Sequence, residues 1–466
     1  MSDLLAALNP EQLAAVTLPP QHALIVAGAG SGKTRVLTTR IAWLISTGQA
    51  RPRDILAVTF TNKAAKEMLA RLSAMLPIDT RGMWIGTFHG LCNRLLRAHH
   101  REAGLPSSFQ ILDSADQLSA VRRLLKNAGL DEESLPPREL VNFINAHKEQ
   151  GIRAAQANAR DEYTRLRAEL YAEYDAQCQR EGVADFAELL LRTYELLCRN
   201  EPLRQHYQQR FRHILVDEFQ DTNRLQYAWL KLLAGYGESL PAGGACLFAV
   251  GDDDQSVYAF RGAEVGNMRD LEREFGITRI IRLERNYRSH GNILDAANAL
   301  IRNNHDRLGK NLWTDAGAGE PIRVFEGDSD LDEASFVADT LRELIRNGIP
   351  RHQLAVLYRS NAQSRVLEHQ LFTSGVPYRV HGGLRFFDRQ EVRHALAYLR
   401  LIANPDDDTA FSRVVNFPTR GIGDRRQEAL RDAAYRANSS LYDAAASLPG
   451  RTGATVAGFI RLIETL

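Results

Sequence analysis

Leu24-Ile25-Val26-Ala27-Gly28-Ala29-Gly30-Ser31-Gly32-Lys33-Thr34 runs an apolar segment into a glycine-rich loop that ends in Lys-Thr. The residues that follow, 36–45, are apolar at helical spacing. Strand, loop and helix in that order are how a chain cradles phosphate. Backbone N–H groups and a helix N-terminus face the anion, and a lysine stands over it. The strict pattern has Gly where this chain has Ala27. The alternative is a chance glycine-rich turn, but the strand and helix on either side favour a nucleoside triphosphate site. Its contacts are Ala27, Gly28, Ala29, Gly30, Ser31, Gly32, Lys33 and Thr34.

Outward from the loop, further short apolar runs occur at 55–60, 83–87, 213–216, 247–250 and 280–283. With 23–27 they read as buried strands of a parallel sheet, separated by helical patterns. The fold class is α/β of the P-loop kind, with ligand loops at strand C-termini. Between about 90 and 212 charged helical text dominates, as at 115–127 and 164–181, and strand signals nearly vanish. That stretch reads as a helical insertion. A second α/β region is expected from about 281, with strands at 354–359 and 378–381. After about 380 the pattern is helical again.

The chain has 466 residues, enough for about three or four domains. At 44% hydrophobic and 25% charged it has an ordinary globular composition, and its net charge of +1 decides nothing about nucleic acid. No apolar run is long enough to span a membrane and no secretory signal is visible, so a cytoplasmic protein is expected. Cys92, Cys178, Cys198 and Cys246 lie far apart without metal-ligand spacing. They read as buried small hydrophobes rather than disulfides or zinc ligands.

Two later strand ends carry chemistry. Ile214-Leu215-Val216-Asp217-Glu218-Phe219-Gln220-Asp221 places two carboxylates past a strand. Beside a phosphate loop, Asp217 suits Mg²⁺ together with the Thr34 hydroxyl, and Glu218 suits a general base. A solvated strand end is the plainer alternative. Gly251-Asp252-Asp253-Asp254-Gln255-Ser256-Val257-Tyr258-Ala259-Phe260-Arg261-Gly262 has three consecutive acids but not the spacing of a calcium loop. Tyr258 and Phe260, followed by Arg261, fit either a stacking platform for unpaired bases or one face of a buried strand.

These blocks resemble the superfamily 1 DNA helicases of the UvrD/PcrA/Rep group. The resemblance runs through Leu8-Asn9-Pro10-Glu11-Gln12, the loop to Arg35, and Thr59-Phe60-Thr61-Asn62-Lys63-Ala64-Ala65. It continues through Gly86-Thr87-Phe88-His89-Gly90, the two acidic strand ends, Asn286-Tyr287-Arg288-Ser289 and Tyr358-Arg359-Ser360-Asn361-Ala362-Gln363-Ser364-Arg365. It implies two RecA-like cores with ATP between them. The first would span 1–89 and 213–280, interrupted by a helical subdomain at 90–212. The second would begin at 281–380, followed by part of another helical subdomain at 381–466.

By the same resemblance Gln12 reads the adenine, Tyr287 stacks on it, and Arg35 lies nearby. Lys33 binds the β/γ-phosphates, Glu218 activates water, and Gln255 and Arg288 contact the γ-phosphate. An exposed Gln or Arg is usually just solvated, so Gln12 and Arg35 rest mainly on the resemblance. DNA contacts fall on Phe60, Thr87, His89, Tyr258, Phe260, Arg261, Arg359 and Asn361, with His89 also readable as a core histidine. Many relatives have Trp where Phe260 stands. Gly421-Ile422-Gly423 resembles a duplex-contacting turn or is a plain helix connection.

The implied activity is ATP-dependent, 3′–5′ movement on single-stranded DNA with unwinding of single-strand/duplex junctions, in repair or replication restart alongside repair proteins. Oligomeric state is not implied. The family normally continues beyond Leu466, where further motifs supply a second arginine facing the γ-phosphate. Such residues are worth about 10³–10⁵ in rate. A partial chain that binds ATP and DNA but turns over poorly is therefore the alternative expectation. A small-molecule kinase would explain the loop but not the aromatic–Arg blocks.

Overall fold

Six of the apolar runs form one parallel sheet: β1 (Ala23–Ala27), β2 (Ile55–Thr59), β3 (Trp84–Thr87), β6 (His213–Val216), β7 (Cys246–Gly251) and β8 (Ile280–Leu283). A separate parallel pair joins β4 (Gln110–Ile111) to β5 (Val183–Ala184). The structure is a computed structural model. It describes residues 2–76, 80–158, 160–235, 244–259, 262–305, 307–381, 389–437, 439–445, 448 and 450–465.

The large sheet runs β3-β2-β6-β7-β1-β8, which places β1 between β7 and β8. The strands read as unbroken apolar runs because both faces are covered. Leu24, Val26, Leu56, Val58, Ile214 and Val216 point to one face, against helices Phe88–Ala98, Phe186–Arg199 and Arg224–Ala234. Ile25, Ile55, Ala57, Leu215 and Val250 point to the other, against helices Pro10–Val16, Lys33–Ser46 and Asn62–Met75. The helix after the glycine loop is buried on nearly every side, not only along one stripe.

That burial includes a charge. Arg40 is 1% exposed, and its Nη1 donates to the carbonyls of Ala15, Val16 and Leu18 at 3.3, 3.0 and 3.0 Å. Its guanidinium lies 4.5 Å from the centre of the Phe248 ring. Burial pulls its pKa down to about 10, still protonated at neutral pH. Arg40 thus satisfies the open carbonyl end of helix Pro10–Val16, which carries Gln12. Arg40→Met is expected to lower stability by about 1–3 kcal/mol, read as a lower urea midpoint at unchanged slope.

The helical region between β3 and β6 packs Val121, Leu124, Leu140, Ile144, Tyr171 and Tyr174 into its own core. Compact packing divides the chain at Met1–Pro321 and Ile322–Leu466. β8 hydrogen-bonds along β1, from Leu24↔Ile280 to Ala27↔Leu283, at the point where the second region is expected to begin. Residues to Pro321 pack with the first unit.

In the second unit, helices Asp330–Arg346 and Asn361–Thr373 meet around Ala338, Leu371 and Val376. Helices Gln390–Ala403, Asp408–Val414 and Gly450–Thr465 close around Leu401, Phe411, Val414, Val456 and Phe459. The strands expected at 354–359 and 378–381 do not form among the described residues. Leu354 is extended, but no neighbouring chain pairs with its run, and Leu357 is 94% exposed. Extended backbone becomes a strand only when a partner takes its N–H and C=O groups. The turn at Gly421 is held by Asn416, whose Oδ1 accepts from the N–H groups of Arg420 and Ile422 at 2.9 and 3.0 Å.

Cys92, Cys178 and Cys246 are buried as read, whereas Cys198 is exposed. No described helix is long and apolar enough to cross a membrane.

Candidate active site

The glycine loop leaves β1 at the sheet's C-terminal edge. The Gly28 N–H donates to Leu283 O at 3.1 Å, and Ser31 Oγ closes the loop onto Gly28 O at 2.7 Å. Gly30 and Gly32 have φ of +66° and +91°, which side-chain-bearing residues rarely adopt. A Cβ on Gly28, Gly30 or Gly32 would lie 2.1, 2.6 or 2.8 Å from Leu312, Asn286 and Gln12 respectively. Ala27 is different. It is the last residue of β1 and wholly buried in the sheet core, so its methyl fills space there and glycine is not required.

Gln12 and the Asn286-Tyr287-Arg288 segment bracket the loop. Gln12 Nε2 donates to Ser31 O at 2.8 Å, and Asn9 and Gln12 form a reciprocal cap on their helix. Asn9 Nδ2 donates to the Tyr287 hydroxyl at 2.9 Å, and the Tyr287 N–H donates to Gly30 O at 2.9 Å. Asn286 Nδ2 donates to Ala29 O at 2.6 Å while its Oδ1 accepts from the N–H groups of Arg288 and Ser289. Tyr287 exposes half its surface, and Arg35 and Arg288 are exposed. Asn9 and Asn286 carried no assigned role in the sequence, where only their neighbours did.

Beneath the loop, Lys33 Nζ bonds Glu218 Oε2 at 2.8 Å and Gln255 Oε1 at 3.4 Å. Gln220 Nε2 also donates to Glu218 Oε2, at 2.8 Å. Glu218 sits at φ +50°, a left-handed turn that swings it off the end of β6 toward Lys33. Asp217 is buried beside it. Burial first, and then the Glu218 carboxylate, push its pKa up to about 6, with Lys33 opposing. Asp221 is also pushed up to about 6, chiefly by burial, and its Oδ1 has no hydrogen-bond partner among the described residues. A carboxyl raised by a neighbouring negative charge suits a cation, and Asp217 with the Thr34 hydroxyl offers the hard oxygen donors Mg²⁺ prefers. The residues present therefore fit both a phosphate chain and its metal.

The three consecutive acids hold a cation of the chain's own. Lys310, buried, pairs with Asp252 and Asp254, and lies 3.4 Å from Asp253 Oδ1. Arg307 grips Asp254 with Nε at 2.9 Å and Nη2 at 2.5 Å, and the Leu308 N–H donates to Asp253 Oδ2 at 2.6 Å. Burial disfavours the ammonium, but Asp252 and its neighbours outweigh that and raise the Lys310 pKa.

On the same unit, the Phe60 and Tyr258 rings stack with centroids 5.1 Å apart and planes at 28°. Thr87 Oγ1 accepts from the Gly90 N–H, capping helix Phe88–Ala98. The His89 ring meets exposed Phe186 edge-on at 6.1 Å, and burial lowers its pKa. Phe260 and Arg261 lie outside the described residues. In the second unit Arg359 and Asn361 are exposed at the start of helix Asn361–Thr373, where the Arg359 N–H donates to Gln363 Oε1 at 2.9 Å.

A parallel sheet with a glycine loop at its C-terminal edge, a lysine beneath the loop and acids on the next strand but one define a P-loop nucleotide-binding protein. Family models make this narrower. The UvrD/REP helicase N-terminal domain matches residues 8–276, and the UvrD-like helicase C-terminal domain matches residues 281–465. The chain belongs to the UvrD-like helicase family. It is 50% identical over 473 residues to DNA helicase II of Escherichia coli K12, covering 100% of this chain and 65% of that protein. Against DNA helicase II of Salmonella typhimurium identity is 49%, again over 100% of this chain and 65% of the relative. The ATP-dependent DNA helicase PcrA of Bacillus subtilis is 42% identical over 94% of this chain and 59% of its own length. The chain thus spans about 65% of the first of these relatives.

Proposed function

We propose that this protein is an ATP-dependent DNA helicase that moves 3′ to 5′ on single-stranded DNA and opens duplex at junctions, in repair or replication restart. Repair proteins are its proposed partners. The observation that carries this reading is Lys33 held between Glu218 and Gln255 directly under the glycine loop. Lys33 pairs with Glu218 at 2.8 Å. A β/γ-phosphate taking that ammonium frees the carboxylate, which then accepts the proton of an attacking water. Gln255 and Arg288 face the γ-phosphate, and Gln12, Tyr287 and Arg35 hold the base. Thr34 and Asp217 hold Mg²⁺, which when bound offsets charge on the phosphate oxygens.

For DNA, Phe60 and Tyr258 offer sequence-tolerant ring faces, joined in this reading by Phe260 and Arg261. Thr87, His89, Arg359 and Asn361 contact the backbone without reading bases. The test is ATP hydrolysis with and without a single-stranded oligonucleotide, followed by strand displacement on duplexes with a 3′ or a 5′ tail. Hydrolysis indifferent to DNA, or displacement only from the 5′ tail, contradicts the reading. Phe60→Ala is expected to weaken oligonucleotide binding by about 1–3 kcal/mol, about 5–150-fold in Kd, without base preference. Fluorescence anisotropy with mixed-sequence oligonucleotides measures it.

A second reading, binding of ATP and DNA with slow turnover, is favoured by the apolar runs of the second unit that join no strand among the described residues, where Val324 and Leu357 are 92% and 94% exposed. The same hydrolysis assay separates the two readings.

A further inference from the structure

We propose that Lys310 is a positioning residue for the nucleotide site: seated among Asp252, Asp253 and Asp254, it fixes Asp252, and Asp252 fixes the Gln255 amide that faces Lys33. The inference rests on the nucleotide reading above and names a residue that acts through two others.

The connections are short and continuous. Lys310 pairs with Asp252 Oδ1, and the other oxygen, Oδ2, accepts from Gln255 Nε2. The Gln255 carbonyl then faces Lys33 Nζ at 3.4 Å. A glutamine amide can point either way, and its orientation follows its partners. An ionised carboxylate only accepts, so Asp252 takes the –NH₂ end and turns the carbonyl oxygen to the lysine. The amide keeps a second N–H for a phosphate oxygen. Asp252 also anchors the other side of the site, because its N–H donates to Gln220 Oε1 at 2.9 Å and Gln220 holds Glu218 at 2.8 Å.

Three acids side by side, Asp252 and Asp253 buried and Asp254 partly so, repel one another unless a cation sits among them. Their oxygens lie close enough together to hold a metal ion. The ammonium of Lys310 already serves, and Arg307 fills the flank at Asp254. Lys310 and Arg307 sit on the loop after helix Gly291–Ile301, in the same segment as Leu312, which overlies Gly28. The loop therefore meets the site at both Asp252, the partner of Gln255, and the phosphate cradle.

The experiment measures affinity for a fluorescent, non-hydrolysable ATP analogue and for the matching ADP, each with Mg²⁺, on the full chain. The wild type is expected to prefer the triphosphate. Lys310→Met is expected to cut that preference about tenfold or more while leaving the ADP Kd within about threefold, the size of a lost supporting contact. Lys310→Arg, which keeps the charge, retains most of the preference.

Asp252→Asn gives the same loss, and the double variant is no worse than either single, since both break one chain of contacts. A cooperative thermal transition shows that each variant is folded. If Lys310→Met does not fold, Asp252→Asn alone decides. An unchanged preference in a folded variant, or losses that add, overturns the proposal. Lys33→Ala is the control and weakens both nucleotides. If it leaves both affinities intact, the nucleotide reading itself fails, and that failure is seen separately.

Discussion

Lys33→Ala is expected to lower ATP turnover by about 10³-fold or more, with the protein still folded. The lysine is the first residue of its helix, its side chain is 10% exposed, and its ammonium is the cation that Glu218 pairs with. Two losses combine. The phosphates lose a charge, and Glu218 is left in its left-handed turn with Gln220 as its remaining side-chain partner among the described residues. A general base that wanders from the water it must deprotonate is as damaging as the missing charge. Lys33→Arg is expected to rescue little, because a planar fork does not replace a compact ammonium between Glu218 and Gln255. Steady-state hydrolysis with saturating single-stranded DNA measures the effect, with thermal unfolding as the check on folding. Turnover within about tenfold of wild type would remove Lys33 from the mechanism.

The sheet was legible because its strands are buried on both faces, so each appears as a compact apolar run; the six runs read from sequence are the six strands of one ladder. The runs at 354–359 and 378–381 have similar composition but no partner among the described residues, and composition cannot report pairing. The text around 281 was harder to read for a related reason. Ile280–Leu283 is both the end of one sheet and the text that introduces the next region, and only hydrogen bonding shows which side it joins. Within the site, Lys33, Glu218 and Gln255 stand in contiguous motifs, and the structure brings these three side chains together. Long-range partners were not legible. Asp252–Asp254 was set aside as a failed calcium loop because its counter-charge, Lys310, lies 56 residues beyond Asp254. Asn286 was hidden in the same way, as its acceptor on the glycine loop is 257 residues away.

Lys148→Met is expected to destabilise the helical region between β3 and β6 by about 3–5 kcal/mol near neutral pH, the cost of removing one partner from a buried charge cluster. Lys148 is 1% exposed and bonds Asp175 at 2.8 Å, Asp185 at 2.9 Å and Glu188 at 3.0 Å. Arg153 and Arg192 also hold Glu188, but among the described residues Lys148 is the cation paired with Asp185, itself 1% exposed. Asp185 caps helix Phe186–Arg199 and accepts from Tyr174, so an uncompensated charge there acts on two helices at once.

The pH dependence has a definite sign. Burial works against the ammonium, yet the three acids hold the Lys148 pKa well above its ordinary value. That contribution is complete below the ordinary lysine range and is lost only as pH rises through the raised value. Burial also works against the Glu188 carboxylate, but Lys148 and Arg153 hold its pKa far below the ordinary range. Its contribution is present above the ordinary carboxylate pKa and is lost as pH falls through the depressed one. In Lys148→Met the acids lose their main counter-charge and their pKa values rise. Asp175, already raised by burial, protonates first. The destabilisation is therefore expected to be largest near pH 7–8 and to shrink as pH is lowered toward about 4, where the variant's acids are neutral and the wild type's pairs are weakening. Urea unfolding of both proteins across that range measures it, and a difference that stays constant or grows with acidity contradicts the cluster's role.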